Sequence, residues 1–307
     1  MIAIWNAEQG AREATDGMTP TGWTGNFWGP DAARARVARQ LPPLPTNGLM
    51  SNWSGWGRSV LRDGDILFRL GDARIARGMF PLSLFISRAT RSPFSHTGIV
   101  AVEDGAPVVY DCTSIGVRRQ PFKVWMLDTV GAWGVKVLEP EHRRHISGVL
   151  SYCRQEFEQQ VPFDFRFRLD DGALYCLEPT EKTFRSQGLA LSQPVPTGDW
   201  ENLTSYPLTA IAVLYGTALV LDQPITLDQL VYLPGNERHG MWASPFLEMV
   251  FFASQPRRDA AAAPRQAEGR SLPGDIDMLV FVAGELRHSY AELPLRWPFR
   301  LDLARAG

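Results

Sequence analysis

The stretch HTGIVAVEDGAPVVYDC, residues 96–112, constrains the fold more than any other. Two apolar, β-branched runs (96–102 and 106–112) are joined by Glu-Asp-Gly, which reads as a β-hairpin. If residues 103–106 close a tight two-residue turn, Glu103 faces Ala106 and, counting back along both strands, Gly98 faces Asp111. Asp111 then lies on the same sheet face as His96 and diagonally beside it. A slip of one residue would send Asp111 to the other face, so the pairing is a sharp expectation.

His96 on its own is a residue at a loop-to-strand junction. It becomes chemically interesting only with a nucleophile, and the chain offers few: 3 Cys among 307 residues, with 5 His. Cys176 follows an aromatic-apolar run and precedes the helix-like LEPTEKTFRSQG, ended at Gly188. A helix start carries unpaired N–H groups and partial positive charge, which favour thiolate over thiol. A base nearby would complete a nucleophilic pair, and a carboxylate at Asp111 would orient the imidazole. The competing reading of Cys176 is that a free cysteine often only packs. Cys112, on the opposite strand face from Asp111, and Cys153, on the apolar stripe of a helix, read as core.

Other chemistries are disfavoured. The formal net charge of −2 lacks the basic surplus that phosphate neutralisation needs, so nucleic acid is not expected as a partner. An odd, small cysteine count argues against a disulfide framework, no CxxC pair is present, and His142 and His145 sit around two arginines. No metal or other cofactor is expected. The apolar stretch 209–221 is shorter than the roughly 20 residues of a membrane span. The start, MIAIWNAEQGAREATDG, lacks the basic and apolar regions of a signal peptide, so the expected location is the cytoplasm; a chain whose leader had been removed would read the same.

Residues 1–57 are rich in Gly, Pro and Trp, with one helix expected around DAARARVARQL; their tryptophans imply packing on the main body, with a sugar-stacking or lid surface as the alternative. Residues 58–253 form the expected main domain. It contains strands at 65–70, 96–102, 106–112 and 134–140, and a helix or helix–loop at 74–90. Ile146, Val149, Leu150, Cys153 and Phe157 mark an amphipathic helix over 142–160. A further helix is expected at 206–219, strand-like runs near 218–232 and at 247–253, and a helix in LDQPITLDQL with Thr226 as its N-cap. Arg118, Arg119 and Lys123 form a basic patch, either a solvated edge or a contact for an acidic substrate group. Residues 254–274 read as an exposed loop or linker, and 275–307 as a last strand and tail joining the core.

In order, LRDGDILF, SPFSHTGIV, VVYDC and FDFRFRLDDGALYCLE resemble the permuted papain-like hydrolases of the NlpC/P60 superfamily, in particular the YiiX/YaeF-like cysteine amidases and peptidases. The resemblance covers roughly residues 60–190. It implies an α+β fold: a circularly permuted papain-like domain, an antiparallel sheet or barrel packed on helices, with extensions at both ends. It also implies that Cys176 is the nucleophile, His96 the base and Asp111 the orienting acid, in an order reversed from ordinary papain-like enzymes. Ser95, Tyr175 and Glu178, which flank these residues in the motifs, are the expected substrate contacts. The implied substrate is a small peptide, amino-acid-derived or lipid-like molecule. Cleavage of an amide is the first expectation; lipid acyl transfer, thioester hydrolysis and non-catalytic binding are the alternatives. Two positions depart from the motif: Leu177 replaces a small polar residue, and Pro179 follows Glu178.

Overall fold

The first hairpin forms in the register that its turn demands. Asp104 and Gly105 have φ of 50° and 72°, the paired positive values of a mirror-type two-residue turn. Strands β2 (His96–Glu103) and β3 (Ala106–Thr113) pair antiparallel, with Glu103 opposite Ala106 and Ile99 opposite Tyr110. The computed structural model describes residues 48–71, 73, 82–113, 116–126, 129–169, 172–205 and 225–253. The helices expected at DAARARVARQL and 206–219, the linker 254–274, the strand at 275–287 and the tail to 307 lie outside these residues, as do positions 74–81.

Around the hairpin the remaining strands build one antiparallel sheet. These are β1 (Ile66–Gly71), β4 (Gly116–Pro121), β5 (Thr129–Leu138) and β8 (Leu247–Ala253), in a six-stranded order β4-β3-β2-β1-β5-β8. A two-stranded piece pairs β6 (Val195–Pro196) with β7 (Leu230–Val231). Side chains alternate between faces. Ile66, Phe68, Ile99, Ala101, Val108 and Tyr110 face one core, which receives Val149, Leu150 and Cys153 of α4 (Ile146–Glu158) and Phe184 of α5 (Glu178–Arg185). Leu67, Val100, Val109, Val135 and Val137 face a second core, with Trp53, Trp56 and Val60 of α1 (Gly48–Val60) and Phe122 and Trp125 of the short α3 (Phe122–Trp125). The chain is α+β, with helices on both faces of an antiparallel sheet. Helix α2 (Leu82–Ala89) packs against β1, its Phe85 ring 6.2 Å from Trp200.

Several expectations change. The boundary drawn between residues 57 and 58 falls inside α1, whose Gly- and Ser-rich sequence has poor helix propensity. Its tryptophans supply the stability instead: Trp56 stacks on Phe122 and meets Trp133 and Phe251 at 5.1 and 5.5 Å, so they serve packing. The helix expected from 142 begins at Ile146, behind a 3-10 turn at Pro140–His145. LDQPITLDQL forms no helix over residues 225–229, because the carbonyls of Thr226, Leu227 and Gln229 are taken by Thr197 and Gly198. Arg118 and Arg119 belong to β4, a strand that the sequence reading did not contain.

Candidate functional site

His96 opens β2, and the β1–β2 register places Arg69 directly opposite it. Asp111 sits on β3 on the same face, as the hairpin register requires. The imidazole Nε2 donates to Asp111 Oδ2 at 2.7 Å. The neighbouring hairpin sets Arg118 opposite Asp111, and its guanidinium spans both carboxylate oxygens, Nε to Oδ1 at 2.6 Å and Nη2 to Oδ2 at 3.0 Å. Trp125 donates its indole N–H to Oδ2 at 3.0 Å, and Arg69 stands 3.9 Å from the same oxygen. Arg69, His96, Asp111 and Arg118 thus form a polar row across β1 to β4, packed against the Trp125 ring. That ring lies 4.1 Å beneath the Arg69 guanidinium and stacks on His96 at 6.3 Å.

The electrostatics follow. Burial opposes charge on Asp111, but the Arg118 guanidinium and the His96 and Arg118 hydrogen bonds override it and hold the carboxyl well below its usual range. His96 is pulled below its ordinary value, first by burial, against its bond to Asp111 and with Arg69 on the same side. The imidazole is therefore neutral near pH 7 and able to accept a proton.

Cys176 comes from the other core. It precedes the N-cap residue Leu177 of α5, and that helix is docked on the start of β2 by the Thr97–Thr180 hydroxyl pair at 2.9 Å. Glu181 fixes the helix from behind through Arg185 and the Ser192 N–H and hydroxyl. As a result Cys176 Sγ lies 3.8 Å from the carbonyl oxygen of Ser95, the residue before His96. The expected thiolate is not the resting form. Although the residue keeps partial exposure, burial pushes the thiol up to about 12, and its own backbone N–H offsets only part of this. The Asp111 carboxylate adds to the rise, and the Arg69 guanidinium works against it.

The side chains of the three expected substrate contacts are buried and bonded within the protein. Tyr175 is buried in the core, and its hydroxyl accepts from the Tyr232 N–H. Glu178 is fully buried; it accepts from the Tyr175 N–H at 3.3 Å and pairs with Lys182 at 2.7 Å, and burial pushes it up to about 7. Ser95 is buried too, its hydroxyl accepting from the Gly71 N–H at 3.0 Å, so only its carbonyl reaches the thiol. The motif departures fit this frame. Leu177 is buried in the core, and Pro179 stands in the first turn of α5, where a missing N–H costs nothing. Cys112, bonded to the Leu174 carbonyl at 3.0 Å, and Cys153 are buried as expected. His239 stands beside Glu201 at 3.7 Å, and His142 against the Phe246 ring.

Sequence reasoning missed Arg69, Arg118 and Trp125. The basic patch at Arg118 was the signal for one of them, but its partner depends on the β3–β4 register.

No family model matches the chain. Among curated proteins, the chain is 26% identical over 182 residues, 55% of this chain and 80% of its relative, to the uncharacterized protein YiiX of Escherichia coli strain K12. The chain is homologous to YiiX. A crystal structure of the metalloprotein YiiX from Escherichia coli O157:H7, with the designation DUF1105, superposes with a TM-score of 0.50 at 22% identity. That match covers 63% of this chain and 98% of the other, and it is a likeness of fold. The YiiX-like part of the expected resemblance thus stands on an independent footing.

Proposed function

We propose that the protein is a cysteine hydrolase of permuted papain-like fold that cleaves an amide bond in a peptide or peptidoglycan-like molecule. One observation carries the reading. Cys176 Sγ abuts the carbonyl of Ser95, and the next residue, His96, has its Nε2 bound to an ionised, fully coordinated carboxylate. With Nε2–H committed to Asp111, Nδ1 is the nitrogen left for the thiol.

At rest the pair is neutral thiol and neutral imidazole, so proton transfer accompanies attack instead of preceding it. The Cys176 proton passes to His96 Nδ1 as sulfur bonds to the substrate carbonyl carbon. The C–N bond then breaks, and the leaving amine takes the proton from His96. Water attacks the thioester, giving its proton to His96; the C–S bond breaks and the sulfur is reprotonated. Asp111 supports the transient imidazolium without accepting a proton itself.

The word metalloprotein attached to the YiiX crystal structure calls for a test of metal binding here. Among the described residues no group of three His, Cys, Asp or Glu side chains is placed to hold a metal ion. Cys176, His96 and Asp111 do not fit one, because both Asp111 oxygens are occupied by donors and two guanidiniums stand beside it. A divalent cation there would face like charge. No helix among the described residues is long and apolar enough to cross a membrane.

The test is to incubate the protein with γ-glutamyl peptides, peptidoglycan fragments, N-acyl amino acids and lipid esters and to measure intact mass. An acyl adduct on wild type from the amides, absent in Cys176→Ala and slowed in His96→Gln, supports the reading. Acylation by lipid esters alone would assign a lipid acyltransferase or thioesterase instead. No adduct from any class would leave a binding protein.

A further inference from the structure

Arg118 has no part in the mechanism above, yet its placement is highly specific. It comes from β4, in register with Asp111, and both of its bonds to that carboxylate lie within 3.0 Å. Gln120, two residues along the same strand face, adds an acceptor when its amide oxygen faces the guanidinium, 2.8 Å from Nη2. Arg118 is therefore held from two sides and its fork is aimed at one anion. We infer that Arg118 is a positioning residue for the base: its fork fixes the Asp111 carboxylate so that Oδ2 alone meets His96, and its charge offsets Asp111 so that the imidazole stays unprotonated.

The physical argument is a balance. An aspartate bonded to a histidine ordinarily raises the imidazole's affinity for a proton. A base raised in this way would be protonated, and idle, over more of the acidic range. Here the charged groups around His96 are Arg69 from β1, Asp111 from β3 and Arg118 from β4, with the indole of Trp125 from α3 and the neutral thiol of Cys176, just before α5, against the carbonyl of neighbouring Ser95. Two cations face one anion, so the carboxylate orients the ring without charging it; burial does most to lower the affinity of His96, and the Arg69 and then the Arg118 charge act in the same direction. A monodentate lysine could supply the charge but could not hold both oxygens.

The inference rests on His96 being the base, but its test need not. In wild-type protein carrying ring-labelled histidine, the His96 resonance is assigned by His96→Gln and followed through a pH titration by NMR. His96 and Arg118 bond the same oxygen and so are no more than about 6 Å apart, close enough for loss of the charge in R118Q to raise the His96 midpoint by roughly one unit. R118K is expected to keep the midpoint near wild type and still to lose Cys176 acylation rate at least several-fold, because the fork is gone. An R118Q midpoint within about 0.3 units of wild type would overturn the charge offset, and an R118K protein acylated at the wild-type rate would overturn the need for the fork. If R118Q fails to fold, R118K still decides the second point. Failure of the hydrolase reading is separately visible, as wild-type protein that is never acylated while the His96 titration still reports the clamp.

Discussion

Replacing Asp111 by Asn gives the most direct measure of how much the fold depends on its polar row. The side chain keeps its shape but loses its charge and one acceptor oxygen. In the native protein the two oxygens accept from His96 Nε2, Arg118 Nε and Nη2, and the Trp125 indole, while Arg69 adds a cation 3.9 Å away. An amide must turn its NH2 toward one of these donors, and it leaves two guanidiniums without a counter-charge. Breaking a buried ion pair by removing one partner costs about 3–5 kcal/mol. The Arg118 side chain is 16% exposed and can partly re-solvate, which favours the lower end of that range. At roughly 2–4 °C per kcal/mol for a domain of this size, Asp111→Asn should melt some 6–12 °C below wild type at pH 7. Because the folded carboxyl is held low, its contribution is complete above the unfolded value of about 3.9 and is lost as pH falls through the folded one, so the gap between variants persists from pH 7 to pH 5. Thermal unfolding followed by near-UV circular dichroism at both pH values checks this. A double variant, Asp111→Asn with Arg118→Met, should recover part of the loss by removing one stranded charge. A single variant that melts within about 2 °C of wild type would refute the reasoning, since a deficit under 1 kcal/mol does not fit an uncompensated buried charge.

Three further outcomes are expected. Unliganded Cys176, with its thiol pushed up to about 12, should alkylate with iodoacetamide at pH 7.5 on the order of 10³-fold more slowly than a free thiol peptide; faster labelling than the peptide would contradict a protonated resting thiol. Glu178 is raised to about 7, so wild-type stability should increase as pH falls from 7 toward 4.5; Glu178→Gln should flatten much of that slope, up to about 3 kcal/mol across it, in urea titrations at several pH values. Gly98→Ala puts a methyl carbon 2.5 Å from Val109 Cγ1 and 3.3 Å from the Trp125 indole nitrogen, so it should cost about 1–3 kcal/mol in urea unfolding and perturb Trp125 fluorescence; a neutral effect would mean that β2 and α3 are less closely packed than described.

Much of the site was legible because the determinants of the hairpin are local. Asp104-Gly105 selects the turn, the alternation of Ile99, Val100 and Ala101 selects the faces, and together they set Asp111 diagonally beside His96 before any tertiary contact is known. The start of α5 was legible for a similar reason, from Gly188 at its end and the acidic first turn after Cys176. That the Tyr175 and Glu178 side chains are buried was not legible, because adjacency to Cys176 in sequence says nothing about which way a neighbour points. Helix α1 was missed because its propensity is poor and its stability comes from Trp53 and Trp56 packing on the second core, which no local pattern reports.

By itself, then, the sequence determined the strands of the first hairpin, their register, and the helix start that carries Cys176, since each depends on residues within a few positions of one another. The tertiary structure alone decided that Arg69 and Arg118, from the strands on either side of that hairpin, close on Asp111 and His96. It alone decided that burial keeps the Cys176 thiol protonated. Both depend on which segments distant in the chain become neighbours, and charge and desolvation act through space with no regard to sequence order.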